Sequence, residues 1–135
     1  MVVLGVILAI GGAFWASSVQ TGGGVSVRDI RFAGTGGKTM SALLYVPPGA
    51  SAMAKAPSIL AVHGYINSRE TQDAFAIEFA RRGYVVLAMD QTGHGYSDGP
   101  AFSNGFGGPD GLKYLRSLPM VDTGNIGLEG HSMGG

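Results

Sequence analysis

The chain contains no cysteine, which removes disulfide scaffolds, thiolate metal sites and cysteine nucleophiles from consideration. It is also poor in charge. Charged residues make up 13% of its 135 residues, about half the usual quarter. Nine basic residues balance nine acidic ones, so there is no positive surface of the kind that attracts nucleic acid, and no nucleic-acid partner is expected. What it has in excess is apolar residues, at 45%, and glycine, at 24 residues. The first is enough for a packed core, and the second means that much of the chain turns tightly.

The scarcity of charge is most complete at the start, where the first charged side chain is Arg28. Met1 to Val19 is almost wholly apolar, and at about 1.5 Å per residue it spans roughly 28 Å as a helix, close to a hydrocarbon core. Gly5, Gly11 and Gly12 lie inside it and it has no polar face, unlike the one-sided pattern of a core helix. The segment therefore reads as a membrane anchor or signal-like helix, and the missing basic residues before it speak against a cleavable signal. Residues 20–24 (Q-T-G-G-G) read as a linker, leaving residues 25–135 as the folded domain.

From Val25 the pattern is one of short strands. Val25 to Phe32 and Thr39 to Val46 flank the turn chemistry of Ala33 to Lys38, and a connection that short makes them antiparallel. Pro47, Pro48 and Gly49 close the second strand. Ser58 to Val62, Tyr84 to Met89 and Ile126 to Leu128 are unbroken apolar runs, as strands need when helices cover both sheet faces. Between the first two, Asn67 with Glu70 forms a capping-box-like helix start, Phe75, Ile77, Phe79 and Ala80 supply an apolar face, and Gly83 ends the helix. A second helix is expected from Pro109 to Leu118, with Leu112, Leu115 and Leu118 on one side and Pro119 stopping it. Strand, helix, strand, helix, strand gives an α/β fold around a mostly parallel sheet.

Ligands of such sheets bind at the carboxyl ends of the strands, so the residues after each parallel run matter most. They are His63-Gly64-Tyr65, the stretch Asp90 to Ser97, and Gly130-His131-Ser132-Met133-Gly134-Gly135. The last contains G-x-S-x-G, a strained strand-to-helix turn that lifts a serine hydroxyl above the sheet. In a chain this rich in glycine the motif recurs at Gly95-Tyr96-Ser97-Asp98-Gly99. Ser132 follows its strand closely and runs into small residues, whereas Ser97 runs into Pro100 and irregular sequence, so Ser132 is the nucleophile candidate and Ser97 a loop serine. An acyl-transfer serine needs amide donors for the developing oxyanion. Met133 is the first candidate and Tyr65 the second, with Gly64 allowing close approach to a substrate carbonyl. His63, Gly64, Gly130, His131 and Gly134 are read as supporting residues, and Asp90 as a brace for the glycine-rich turn behind it. His94 is read as a solvated loop histidine, and Glu129 is left open between a buried brace and a functional acid. No metal site and no cofactor are expected.

These three motifs, H-G-Y, D-x-x-G-H-G-x-S and G-H-S-M-G-G, resemble in order and placement those of the α/β-hydrolase superfamily, particularly its bacterial esterase, dienelactone-hydrolase-like and serine-aminopeptidase-like members. The resemblance covers Val25 to Gly135, the N-terminal half of such a domain. It implies that Ser132 attacks an ester, thioester or amide carbonyl of a small-molecule acyl substrate or a peptide, forming an acyl-enzyme that water hydrolyses. In the superfamily the acid and the histidine follow the serine, and only three residues follow Ser132, so neither is named. The chain is accordingly expected to be a fragment that is inactive alone. The leading expectation is a membrane-anchored serine hydrolase with its domain outside the cytoplasm. A serine peptidase and a non-catalytic hydrolase-like module are the alternatives.

Overall fold

A computed structural model describes residues 1–20 and 24–135, so most of the expected linker 20–24 lies outside the described residues. The first element is helix α1 (Val2–Gln20). Its apolar stretch Val2–Val19 is long and apolar enough to cross a membrane, and none of it is buried. The Arg81 guanidinium meets the Val19 carbonyl at its C-terminal end, where a helix favours positive charge.

The remaining elements are β1 (Ser26–Ala33), β2 (Thr39–Val46), β3 (Ala56–Val62), α2 (Asp73–Arg81), β4 (Val85–Met89), α3 (Gly108–Ser117) and β5 (Val121–Gly130), with short 3-10 turns between them. The five strands form one sheet in the order β1-β2-β4-β3-β5. β1 and β2 make an antiparallel hairpin, β2 pairs antiparallel with β4, and β3 runs parallel to both β4 and β5.

Side-chain alternation explains why the middle strands read as unbroken apolar runs. Leu60, Leu87 and Met89 point to one face, where Leu115 of α3 completes a core cluster, with Leu112 and Leu118 packed against it. Ile59, Ala61, Val86 and Ala88 point to the other, against Ala76, Ile77 and Ala80 of α2. Every residue of β4 is buried, because both of its faces are covered and both of its edges are paired.

Helix α2 departs from its expected start. Asn67 and Glu70 form no capping box; a 3-10 turn over Arg69–Gln72 precedes the α-helix, which begins at Asp73. The cause is tertiary. The buried Arg69 side chain donates to Ser41 Oγ at 2.9 Å and the Ala42 carbonyl at 3.0 Å, and pairs with Asp29 at 2.7 Å, which draws this turn onto the sheet. Glu70 meanwhile accepts from Ser68 Oγ at 2.5 Å instead of reaching back to a cap. Ile77 and Ala80 are buried on the apolar face as expected, but Phe75 is exposed and small Ala76 makes the contact in its place, which lets the helix lie close to the strands.

Strand β5 is longer than the apolar run Ile126 to Leu128 suggested. It pairs with Ala56 at Val121 and again from Ile126 onward, with a register shift between. Asp122 accounts for the interruption, since its carboxylate accepts from the Gly124 amide at 3.0 Å and Asn125 Nδ2 at 2.7 Å, a local turn inside the strand.

Candidate active site

Because β3, β4 and β5 are parallel, the residues following them share one edge of the sheet. Backbone strain gathers there. The five non-glycine residues with positive φ among the described residues are Ile66 after β3, Phe102, Asn104 and Phe106 after β4, and Ser132 after β5. Left-handed conformations are costly for residues with side chains and cluster at functional positions.

The third loop makes an abrupt reversal. Gly130 ends β5, His131 is extended with its amide donating to the Val62 carbonyl at 3.1 Å, and Ser132 turns to φ 57°. A single 3-10 turn follows, closed by bonds from the Gly134 amide to the His131 carbonyl (3.0 Å) and from the Gly135 amide to the Ser132 carbonyl (3.1 Å). These bonds leave the Met133 amide outside the turn's ladder. Two glycines are sterically required. A Cβ on Gly130 would stand 2.2 Å from the Gly134 carbonyl oxygen, and one on Gly134 would stand 2.4 Å from that of Val62. Ser132 is exposed, and its hydroxyl has no hydrogen-bond partner among the described residues.

The first loop lies directly against this turn. A Cβ on Gly64 would be 3.2 Å from Ser132 Cβ and equally close to the His131 carbonyl oxygen and ring, so His63-Gly64-Tyr65 and Gly130 to Gly134 meet at Gly64. The Tyr65 amide donates to no acceptor among the described residues. The exposed Ser132 hydroxyl and the uncommitted Met133 and Tyr65 amides thus belong to the two loops that meet at Gly64.

His63 is fully buried beneath this loop. Its Nδ1 faces the Gly64 carbonyl at 2.7 Å and so carries the proton, while Nε2 accepts from the Gln91 amide at 3.0 Å. The Gln91 side chain returns a bond to the His63 carbonyl at 2.5 Å. Both ring nitrogens are thus used within the chain, and burial holds the imidazole pKa below its ordinary value.

The second loop is a framework for the first. The buried Asp90 carboxylate accepts from Ser41 Oγ (2.8 Å), the Arg69 amide (2.9 Å) and the Tyr96 amide (3.1 Å), with the Arg69 guanidinium 3.7 Å away. A Cβ on Gly95 would fall 2.2 Å from this carboxylate. Ser97 is buried, donating to the Asp90 carbonyl and accepting from the Ser41 amide, so its hydroxyl is fully committed. His94 Nδ1 lies 3.2 Å from the Thr92 carbonyl, and its ring meets the edges of His63 and Phe102. His131 is exposed beside Ser132.

Two participants were not singled out from sequence. Arg69 ties the end of the first loop to Asp90 and to Asp29, whose carboxyl it holds down at about 2. Gln91 locks His63. Their roles depend on partners 21 to 40 residues away, which spacing alone does not reveal. Glu129, left open from sequence, has one carboxylate oxygen buried without a partner, and burial raises its pKa above the ordinary range. It lines a cavity of about 380 Å³ under the Ser132 turn, with Leu60, Leu112, Gln91 and Met133. No group of three metal-ligating side chains occurs among the described residues.

With this geometry established, the chain can be set beside known proteins. Residues 54–111 match a family model described as serine aminopeptidase, S33. A hypothetical protein from Pseudomonas aeruginosa is 28% identical with a TM-score of 0.68, covering 77% of this chain and 34% of that one. The α/β hydrolase GrgF from a Penicillium species is 22% identical with a TM-score of 0.71, covering 81% and 38%. A bacterial heroin esterase is 21% identical with a TM-score of 0.66, covering 93% and 42%. The chain therefore spans well under half the length of these structures, and its fold is that of the N-terminal part of an α/β hydrolase, preceded by an apolar helix.

Proposed function

On the premise of an α/β-hydrolase fold, we propose that this chain carries the nucleophile and oxyanion-binding part of a serine hydrolase acting on an ester, thioester or amide. The observation that carries the reading is the conjunction at Gly64: an exposed serine at φ 57° whose Cβ side abuts the loop bearing Tyr65. Ser132 Oγ attacks the acyl carbonyl, its proton passes to a base, and the amides of Met133 and Tyr65 receive the oxyanion. Collapse of the adduct releases the alcohol, thiol or amine, and water then cleaves the acyl-enzyme. Gly130 and Gly134 permit the turn, while His63 and Gln91 hold the Tyr65 loop at its root.

The base is assigned to a histidine following Ser132 in a longer protein, oriented by an acid, in keeping with the larger size of the similar structures. Helix α1 is assigned as a membrane anchor holding the domain outside the cytoplasm. The match of residues 54–111 to a serine aminopeptidase model favours a second reading, in which the acyl group belongs to a peptide.

A fluorophosphonate probe applied to the longer protein is expected to label Ser132, and Ser132→Ala is expected to abolish labelling. Labelling that survives the substitution rejects Ser132 as nucleophile, and no labelling of the folded wild-type protein supports a non-catalytic module instead. Release of p-nitrophenol from short acyl esters, against release of an amino acid from dipeptides, separates esterase from peptidase.

A further inference from the structure

Two exposed apolar residues flank Tyr65 in a way that folding does not explain. Ile66 is 78% exposed and adopts φ 48°. A β-branched residue in the left-handed region is strained, and asparagine or glycine meets the same backbone demand at lower cost. Phe102 repeats the combination from the second loop, 54% exposed at φ 62°. Each is unfavourable in backbone and leaves more than half of its surface in solvent, Ile66 most of all.

Their placement joins them to the site. Tyr65, 56% exposed, follows the glycine that touches Ser132. Its ring stacks on Phe102, with centroids 5.8 Å apart and planes 19° from parallel. Phe102 is held edge-on by His94 at 5.8 Å and by Phe106 at 6.1 Å. The result is a stacked aromatic cluster that spans two loops and begins one residue from Gly64, with the exposed Ile66 next to Tyr65 in the chain. Stacked rings this close leave no slot between them, so a flat guest lies across the outer face.

The geometry points to a substrate subsite: Ile66, Tyr65 and Phe102 take a flat or bulky hydrocarbon arm of the substrate, either its acyl or its alcohol side. This rests on the serine-hydrolase reading and adds to it a preference for apolar, aromatic-sized groups over small acyl esters. The exposure and the strain of Ile66 and Phe102 are then the cost of presenting side chains to a guest.

The test uses the longer protein and three esters: methyl acetate, 2-naphthyl acetate with a bulky alcohol arm, and methyl 2-naphthylacetate with a bulky acyl arm. Ile66→Asn and Phe102→Asn are each expected to lower the kcat/KM ratio of at least one naphthyl ester to methyl acetate by about tenfold, the scale of modest apolar pocket contacts, with the change in KM. Phe75→Ala, at an exposed aromatic residue on α2, leaves the ratio unchanged. Ile66→Asn is expected to melt no lower than wild type, since it relieves strain. Unchanged ratios, loss of all three esters in parallel, or a lower melting temperature for Ile66→Asn overturns the subsite and favours another segment or protein as the covering partner. Fluorophosphonate labelling of Ser132 distinguishes the failures: labelling with unchanged ratios removes the subsite alone, and absence of labelling removes the hydrolase reading as well.

Discussion

Glu129 stands one residue before the turn glycine with one carboxylate oxygen buried and unpartnered, and its pKa is raised chiefly by burial. A carboxyl whose folded pKa lies above its unfolded value favours folding when protonated. Its unfavourable contribution is absent below the ordinary carboxyl pKa and grows as pH rises through the folded value. Glu129→Gln is therefore expected to raise the melting temperature at pH 7, with the advantage vanishing toward pH 4; an equal gain at both pH values would show that charge is not the cause. His63 runs the other way. Its folded pKa is depressed by burial, so its contribution is intact above about 6.5 and is lost as pH falls below that value. At this scale the sequence was legible where chemistry is local. The glycines around Ser132 announced a tight turn, but nothing in spacing revealed that His63 is locked by Gln91 or that Glu129 lacks a partner.

Among the elements, β2 matched its expected bounds of Thr39–Val46 because glycines before it and Pro47-Pro48-Gly49 after it end the strand chemically. The start of α2 was not legible, since it is set by Arg69 reaching Asp29, Ser41 and Asp90 across the fold. The interruption in β5 came from Asp122 bonding to its own strand. The turn at the end of β5 is the most demanding element. Gly134→Ala places a Cβ against the carbonyl oxygens of Val62 and His63, at 2.4 and 2.6 Å, and the backbone has to move. We expect Gly134→Ala to reduce fluorophosphonate labelling of Ser132 by tenfold or more, consistent with the sensitivity of catalysis to about 1 Å of misplacement. By contrast Leu115→Ala, in the core of α3, is expected to cost about 2–5 kcal/mol of stability, read by denaturant unfolding, while leaving labelling of the folded fraction intact.

For the whole molecule, the sequence separated an uncharged start from a domain of alternating strands and helices, and the sheet, with helices on both faces, follows that division. Strand order was not legible: β2 bonding to β4 places the hairpin at the β4 edge of the parallel set, whose middle strand is β3, a long-range choice that no local pattern encodes. Helix α1 exposes its apolar surface on every side, more than a soluble domain ordinarily tolerates. Deleting residues 1–20 is expected to move the protein from the carbonate-resistant membrane pellet to the soluble fraction; an unchanged distribution would remove the anchoring role.

The two margins of the sheet are unequally defended. β1 carries Arg28, Asp29 and Arg31 along its outer border, charges that discourage a stray strand from docking. The far margin, β5, has no charged residue from Thr123 to Leu128, and Leu128 is 74% exposed. Growth of this sheet is therefore directional: a further strand, whether from the same polypeptide or from a neighbour, is admitted beside β5 and turned away at β1.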